Sequence, residues 1–118
     1  MQGKDIKVHD AYVVLDCGTH INPDTCVAQM EGAVVFGLSL ALKSEITFDK
    51  GSAVQGNLDT YELLRMMESP RVQVDLVQSE ALPAGVGEPG VPPVAPALTN
   101  AIFAASGQRI RKLPVSLA

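Results

Sequence analysis

The stretch GVGEPGVPPVAPALTN, from Gly85 to Asn100, limits what this chain can fold into more than any other. Up to Pro96 it is so dense in glycine and proline that neither a central strand nor a regular helix interior can pass through it. It is therefore a loop that delivers the chain to a helix, and Val94, Leu98, Ala101/Ile102 and Ala105 mark that helix by their spacing. The helix is expected to start at Pro92 or Pro93 with an irregular first turn and to close at Gly107. Within the loop stands one ionisable side chain, Glu88, flanked by glycine, proline and valine.

Two readings of Glu88 stand side by side. Glycines permit a sharp turn that aims the next side chain, which would project Glu88 from the N-terminal edge of the helix. Partly shielded by apolar neighbours, it would then serve as a general base, a role worth roughly 10²–10⁴ in rate. Alternatively, its carboxylate only caps the helix that follows. A phosphate cradle fits less well. Gly85, Gly87 and Gly90 hold the spacing of a dinucleotide fingerprint, but Pro89 removes an N–H and Glu88 puts negative charge where a pyrophosphate would lie.

Elsewhere the pattern is mixed. Ile6 to Leu15 reads as a strand ending in the turn Asp16-Cys17-Gly18. Asn22-Pro23-Asp24 then has the residues of a helix start, and Val27, Met30, Val34, Leu38 and Ala41 carry that helix to about Leu42. Gly32 and Gly37 lie inside it, each costing about 1 kcal/mol relative to alanine. Either close packing or a ligand pressed against the backbone would account for them. Glu45 to Phe48 and Ala53 to Gln55 flank Asp49-Lys50-Gly51 as a hairpin. Gly56 to Pro70 has no period, and Tyr61, Leu63, Leu64 and Met66 are expected to tuck it onto the core. Arg71 to Gln78 alternates as a half-buried strand, and Arg109 to Val115 is expected to form a last short one. The result is an α+β fold, a mixed small sheet packed with two main helices, in a single unit over residues 1–118.

Composition narrows the function classes. The net charge of −4, with no basic cluster larger than Arg109, Arg111 and Lys112, argues against a nucleic-acid surface. No uninterrupted apolar run reaches the ~18 residues of a membrane span, and MQGKDIKVHD lacks the apolar core of a signal peptide. Cys17 and Cys26 have no zinc-site spacing and read as two buried thiols. His9 and His20 read as surface or turn residues, and Arg65 as the partner of Glu62 or Glu68 in a structural ion pair. No metal ligand set is present, and nothing in the segment assigns a compartment, periplasmic or cytoplasmic.

Three stretches together resemble a known family. VLDCGTHINPDTCVAQMEGAVVFGLSLAL, YELLRMMESPRVQV and GVGEPGVPPVAPALTNAIFAASGQRIRKLPV are similar, in that order, to the molybdenum-binding subunit of the xanthine dehydrogenase and aldehyde oxidase family. The likeness is strongest to the large, or beta, subunit of isoquinoline 1-oxidoreductase-type enzymes, and it covers nearly the whole chain as a C-terminal piece of a molybdopterin-binding domain. The resemblance implies that Glu88, following Gly87, is the catalytic glutamate. It also implies that Gln29 contacts the molybdopterin cofactor, with Gly32 and Gly87 beside it. Dithiolene sulfurs of the pterin hold the metal in that family, so no protein ligand to it is implied. The reaction implied is hydroxylation of an electrophilic carbon in an N-heterocycle or aldehyde by water-derived oxygen. The resemblance also implies that electrons leave through iron–sulfur clusters on a small partner subunit.

One departure concerns Ala84, since some members carry a lysine four residues before the glutamate. Another is length, because the family's subunit is several times longer. This chain is therefore expected to supply one wall of an active site and to be inactive alone. A strand beginning almost at the first residue is in keeping with a piece of a longer protein, and self-association through uncovered apolar faces is expected. A non-catalytic structural or interaction module is the alternative.

Overall fold

A computed structural model describes residues 6–117. The reading of residues 1–10 as lacking a signal peptide falls half on residues 1–5, outside the described part. The first strand, β1, runs Asp10–Leu15, shorter than the stretch from Ile6 that the β-branched residues mark. Helix α1 follows over Pro23–Leu42 and starts as its residues dictate: Asn22 is the cap, its Oδ1 accepting the Thr25 N–H at 3.3 Å, with Pro23 in the first turn. A two-residue hairpin joins β2, Phe48–Asp49, to β3, Ser52–Ala53. Lys50 (φ 48°) and Gly51 (φ 83°) make the turn between them, so Asp49 lies in a strand rather than in the turn.

Residues 56–70 run irregularly to a single 3₁₀ turn, Met66–Glu68. Of the four residues expected to hold this segment down, Leu64 packs onto the core and Tyr61 is half-buried, while Leu63 and Met66 are exposed. The reason is polar. Buried Ser39 accepts the Leu64 N–H at 2.9 Å, and Glu68 is drawn to Lys43 at 2.6 Å, which leaves Met66 and Met67 on the outside. Lys43, not Arg65, is thus the ion-pair partner of Glu68, which takes only the backbone N–H of Arg65.

Strand β4, Arg71–Leu76, pairs in parallel with β1, from Asp10 opposite Arg71 to Leu15 opposite Leu76. Ala11, Val13 and Leu15 share one face with Val72, Val74 and Leu76, and several of these pack against the core. Helix α2 spans Val94–Ser106 and ends at Gly107 in the left-handed conformation. Pro96 is tolerated because it lies in the first turn, where N–H groups have no helical acceptor. The core joins Val34, Leu38 and Ala41 of α1 to Val94, Leu98 and Ile102 of α2.

The strand expected over Arg109 to Val115 does not form. Pro114 offers no N–H to a ladder, and the segment instead spends the Val115 N–H on the Ala41 carbonyl at 2.8 Å, while Ile110 and Val115 pack on the core. The architecture is α+β, with its strands in two separate pairs, β1–β4 parallel and β2–β3 antiparallel. By length and composition α1 is also apolar enough to cross a bilayer, which a search for unbroken runs misses because Glu31 interrupts it. Core helices meet the same criterion, and α1 buries Val34, Leu38 and Ala41 inside this fold.

Candidate functional site

Because β1 and β4 are parallel, both send their chains off the same end of the sheet. The Val77 N–H still bonds the Leu15 carbonyl at 2.9 Å before the two diverge. From β1 the chain turns through Cys17–Thr19 into α1; from β4 it runs to the glycine-rich loop. The loop then meets α1 again, since Gly90 packs so tightly on Ala33 and Met30 that an added Cβ would lie 2.7 Å from the Ala33 Cβ. Gln29 closes the arrangement by donating from Nε2 to the Val86 carbonyl at 3.5 Å. Four positions singled out in the sequence, Gln29, Gly32, Gly87 and Glu88, thereby fall on the N-terminal half of α1 and on the loop pinned to it.

Glu88 is exposed, so the expected shielding by apolar neighbours is not supplied by this chain. Its glycine and proline neighbours carry too little side chain to cover it. The capping role fails on geometry: the cap position of α2 is Pro93, and no side chain bonds the helix start. Among the described residues the Glu88 carboxylate has no hydrogen-bond or ion-pair partner, while its backbone carbonyl accepts the Val91 N–H at 2.9 Å in a tight turn. A carboxylate so presented is free to meet a group from outside.

The two helix glycines separate the two explanations offered for them. At Gly37 a Cβ would lie 2.6 Å from the Val94 Cβ, so close packing of α1 on α2 demands glycine there. A Cβ added at Gly32 would meet no atom within 4 Å, and neither would one at Gly87. Bare backbone beside the Gln29 amide, which can both donate and accept, fits a large flat polar cofactor. Two grooves of about 490 and 420 Å³ lie at the other end of α1 and do not include Glu88. No cluster of metal-ligating side chains occurs among the described residues.

Cys17 and Cys26 are buried and free. Burial pushes the Cys17 thiol above its ordinary range, and the neighbouring Cys26 adds to the effect. Sequence reasoning took Asp16-Cys17-Gly18 only as a turn and missed Thr19, which ties this turn to the segment leading into the loop. The Asp-x-Gly pattern followed by threonine was the available signal, because such side chains bond nearby backbone.

Known proteins share this fold. The family model described as the molybdopterin cofactor-binding domain matches residues 2–70. The chain is 42% identical over 103 residues to a membrane-bound aldehyde dehydrogenase [pyrroloquinoline-quinone] of Gluconacetobacter polyoxogenes, covering 87% of this chain and 13% of that protein. It is 36% identical over 110 residues to isoquinoline 1-oxidoreductase subunit beta of Brevundimonas diminuta, covering 93% and 14%. Quinoline 2-oxidoreductase from Pseudomonas putida 86 superimposes with a TM-score of 0.75 at 24% identity, over 92% of this chain and 15% of that one. Cu,Mo-CO dehydrogenase does so with a TM-score of 0.71 at 26% identity, over 81% and 13%. The chain thus spans about one seventh of the length of relatives such as these. With more than half of its residues matched, it belongs to the molybdopterin cofactor-binding domain family.

Proposed function

We propose that this chain forms one wall of the active site of a molybdenum hydroxylase that oxidises an N-heterocycle or an aldehyde, with Glu88 as general base. When bound, molybdopterin supplies the metal centre that takes two electrons from the substrate carbon. Gln29 would hold it through the side-chain amide, with Gly32 and Gly87 leaving room for its approach. Glu88 accepts a proton from the water-derived nucleophile and so strengthens its attack on the electrophilic carbon. The remainder of the subunit would cover the exposed loop, and the electrons would pass to iron–sulfur clusters on a small partner subunit. Alone, the 118 residues would neither retain the cofactor nor turn over substrate.

The observation that carries this reading is the pairing of Gln29 with the loop two residues before Glu88, while the Glu88 carboxylate itself is unpaired. In the full-length protein with its partner subunit, Glu88→Gln should leave molybdenum and pterin content intact and lower turnover at least ~100-fold. Near-normal turnover would instead favour a non-catalytic structural module.

A further inference from the structure

Glu88 stands on a loop with little stiffness of its own. Gly85 and Gly87 have no atom within 4 Å of the point where a Cβ would be, so no neighbour closes on that side of either. A pliant segment takes its position from its anchors. Besides the long bond from Gln29 to the Val86 carbonyl, at 3.5 Å, one anchor follows Glu88, where Gly90 rests on Ala33 and Met30. The other precedes it and is built by the turn after β1.

There Thr19 donates twice to one carbonyl, that of Ala81, from its N–H at 2.9 Å and from its Oγ1 at 3.1 Å. The same Oγ1 lies 3.4 Å from the Ser79 carbonyl. In return, the Ala84 N–H donates to the Cys17 carbonyl at 2.9 Å. Gly18, at φ 72°, admits the Leu82 carbonyl so closely that any Cβ would overlap it, and the Asp16 carboxylate takes the Gly18 N–H at 3.1 Å to hold the turn. Beyond Val77 no strand ladder holds this segment, so the turn supplies its fixed points.

We propose that Thr19 is a positioning residue for Glu88, its hydroxyl and amide clamping the segment from which the catalytic loop springs. This rests on the reading of Glu88 as the base. Thr19→Val keeps the shape and the backbone N–H and removes only the Oγ1 donor, whereas Thr19→Ser restores a donor. The test uses the full-length protein with its partner subunit and compares Thr19→Val, Thr19→Ser, Glu88→Gln and the double variant T19V/E88Q. The readouts are molybdenum and pterin content, kcat, KM, and hydrogen–deuterium exchange of peptides covering residues 79–91.

Thr19→Val should leave cofactor content unchanged, speed exchange across the loop and lower kcat about tenfold with little change in KM. Thr19→Ser should return both exchange and kcat close to the parent values. In the Glu88→Gln background the Thr19→Val change should add no further loss, because the residue acts through Glu88. Unchanged exchange and kcat in Thr19→Val, an equal loss in both backgrounds, or no rescue by serine would each overturn the proposal. If Glu88→Gln itself retains activity, the base reading falls and the catalytic part of this proposal with it. Exchange then still decides whether the clamp holds the loop.

Discussion

Gly32 and Gly37 are five residues apart on one helix, and the structure assigns them opposite reasons. A methyl at Gly37 would press on Val94, so Gly37→Ala overpacks the α1–α2 contact and should cost about 1–3 kcal/mol. Gly32 faces open space, so Gly32→Ala should stabilise the helix by about 0.5–1 kcal/mol. Urea unfolding at fixed protein concentration separates the two signs. If Gly32 is bare to admit the cofactor, Gly32→Ala in the full-length protein should also lower pterin content. An unaffected content would remove Gly32 from the site. Both glycines were visible in the sequence as costly residues in a helix. Which one paid for packing was not visible, because Val94 is 57 positions away from Gly37.

Among the elements, the 3₁₀ turn depends on charge for its attachment. Lys43 at the end of α1 donates to both Glu68 oxygens, at 2.6 and 2.8 Å, and holds the Glu68 carboxyl below the ordinary glutamate range, with the Arg65 N–H helping. A carboxyl lowered in the folded state stabilises above its unfolded pKa and loses that contribution as pH falls through the lowered value. Acid should therefore loosen the 3₁₀ turn before it unfolds the helices, and Lys43→Met should loosen it already at neutral pH, while Ser39 and the packing of Leu64 still hold the rest of the segment. Amide exchange of this segment between about pH 5 and pH 3 measures the effect, which is modest because the pair is partly exposed. The sequence offered Arg65 as the partner of Glu62 or of Glu68, and Glu68 pairs instead with Lys43: Arg65 was near along the chain, and Lys43 is near only in space. Strand β4 and the start of α1 were legible because alternation and capping are local. The expected last strand failed because a strand needs a neighbour, and Pro114 has no N–H to offer one.

The molecule as a whole is open. Its radius of gyration is 16.4 Å, where a compact domain of this length has about 13.5 Å. Its accessible surface is 8250 Å², where a folded monomer of its mass shows about 6,100 Å². Much of the surplus is apolar: Tyr12 and Val14 lie uncovered on the outer face of β1, Phe36 on α1, Phe48 on the hairpin, Met66 and Met67 on the 3₁₀ turn. A parallel pair of strands with one bare face is unusual, because parallel sheets are ordinarily covered on both sides. The isolated chain should accordingly self-associate, with a sedimentation coefficient that rises with concentration. A clean monomer at high concentration would show that these faces need no cover.

By itself the sequence determined the pieces: a capped apolar helix, a strand alternating from Arg71, a helix closed by Gly107, and a glycine–proline loop carrying one carboxylate. Each of these follows from residues within a turn or two of one another, where backbone sterics and local hydrogen bonds decide. Only the tertiary structure laid that loop along the N-terminal half of α1, set Val86 beside Gln29 and made Thr19 the clamp of Ala81. Those contacts join residues 57 and 62 positions apart. They exist because β1 and β4 pair in parallel and release their chains at one end, and no local pattern encodes that pairing.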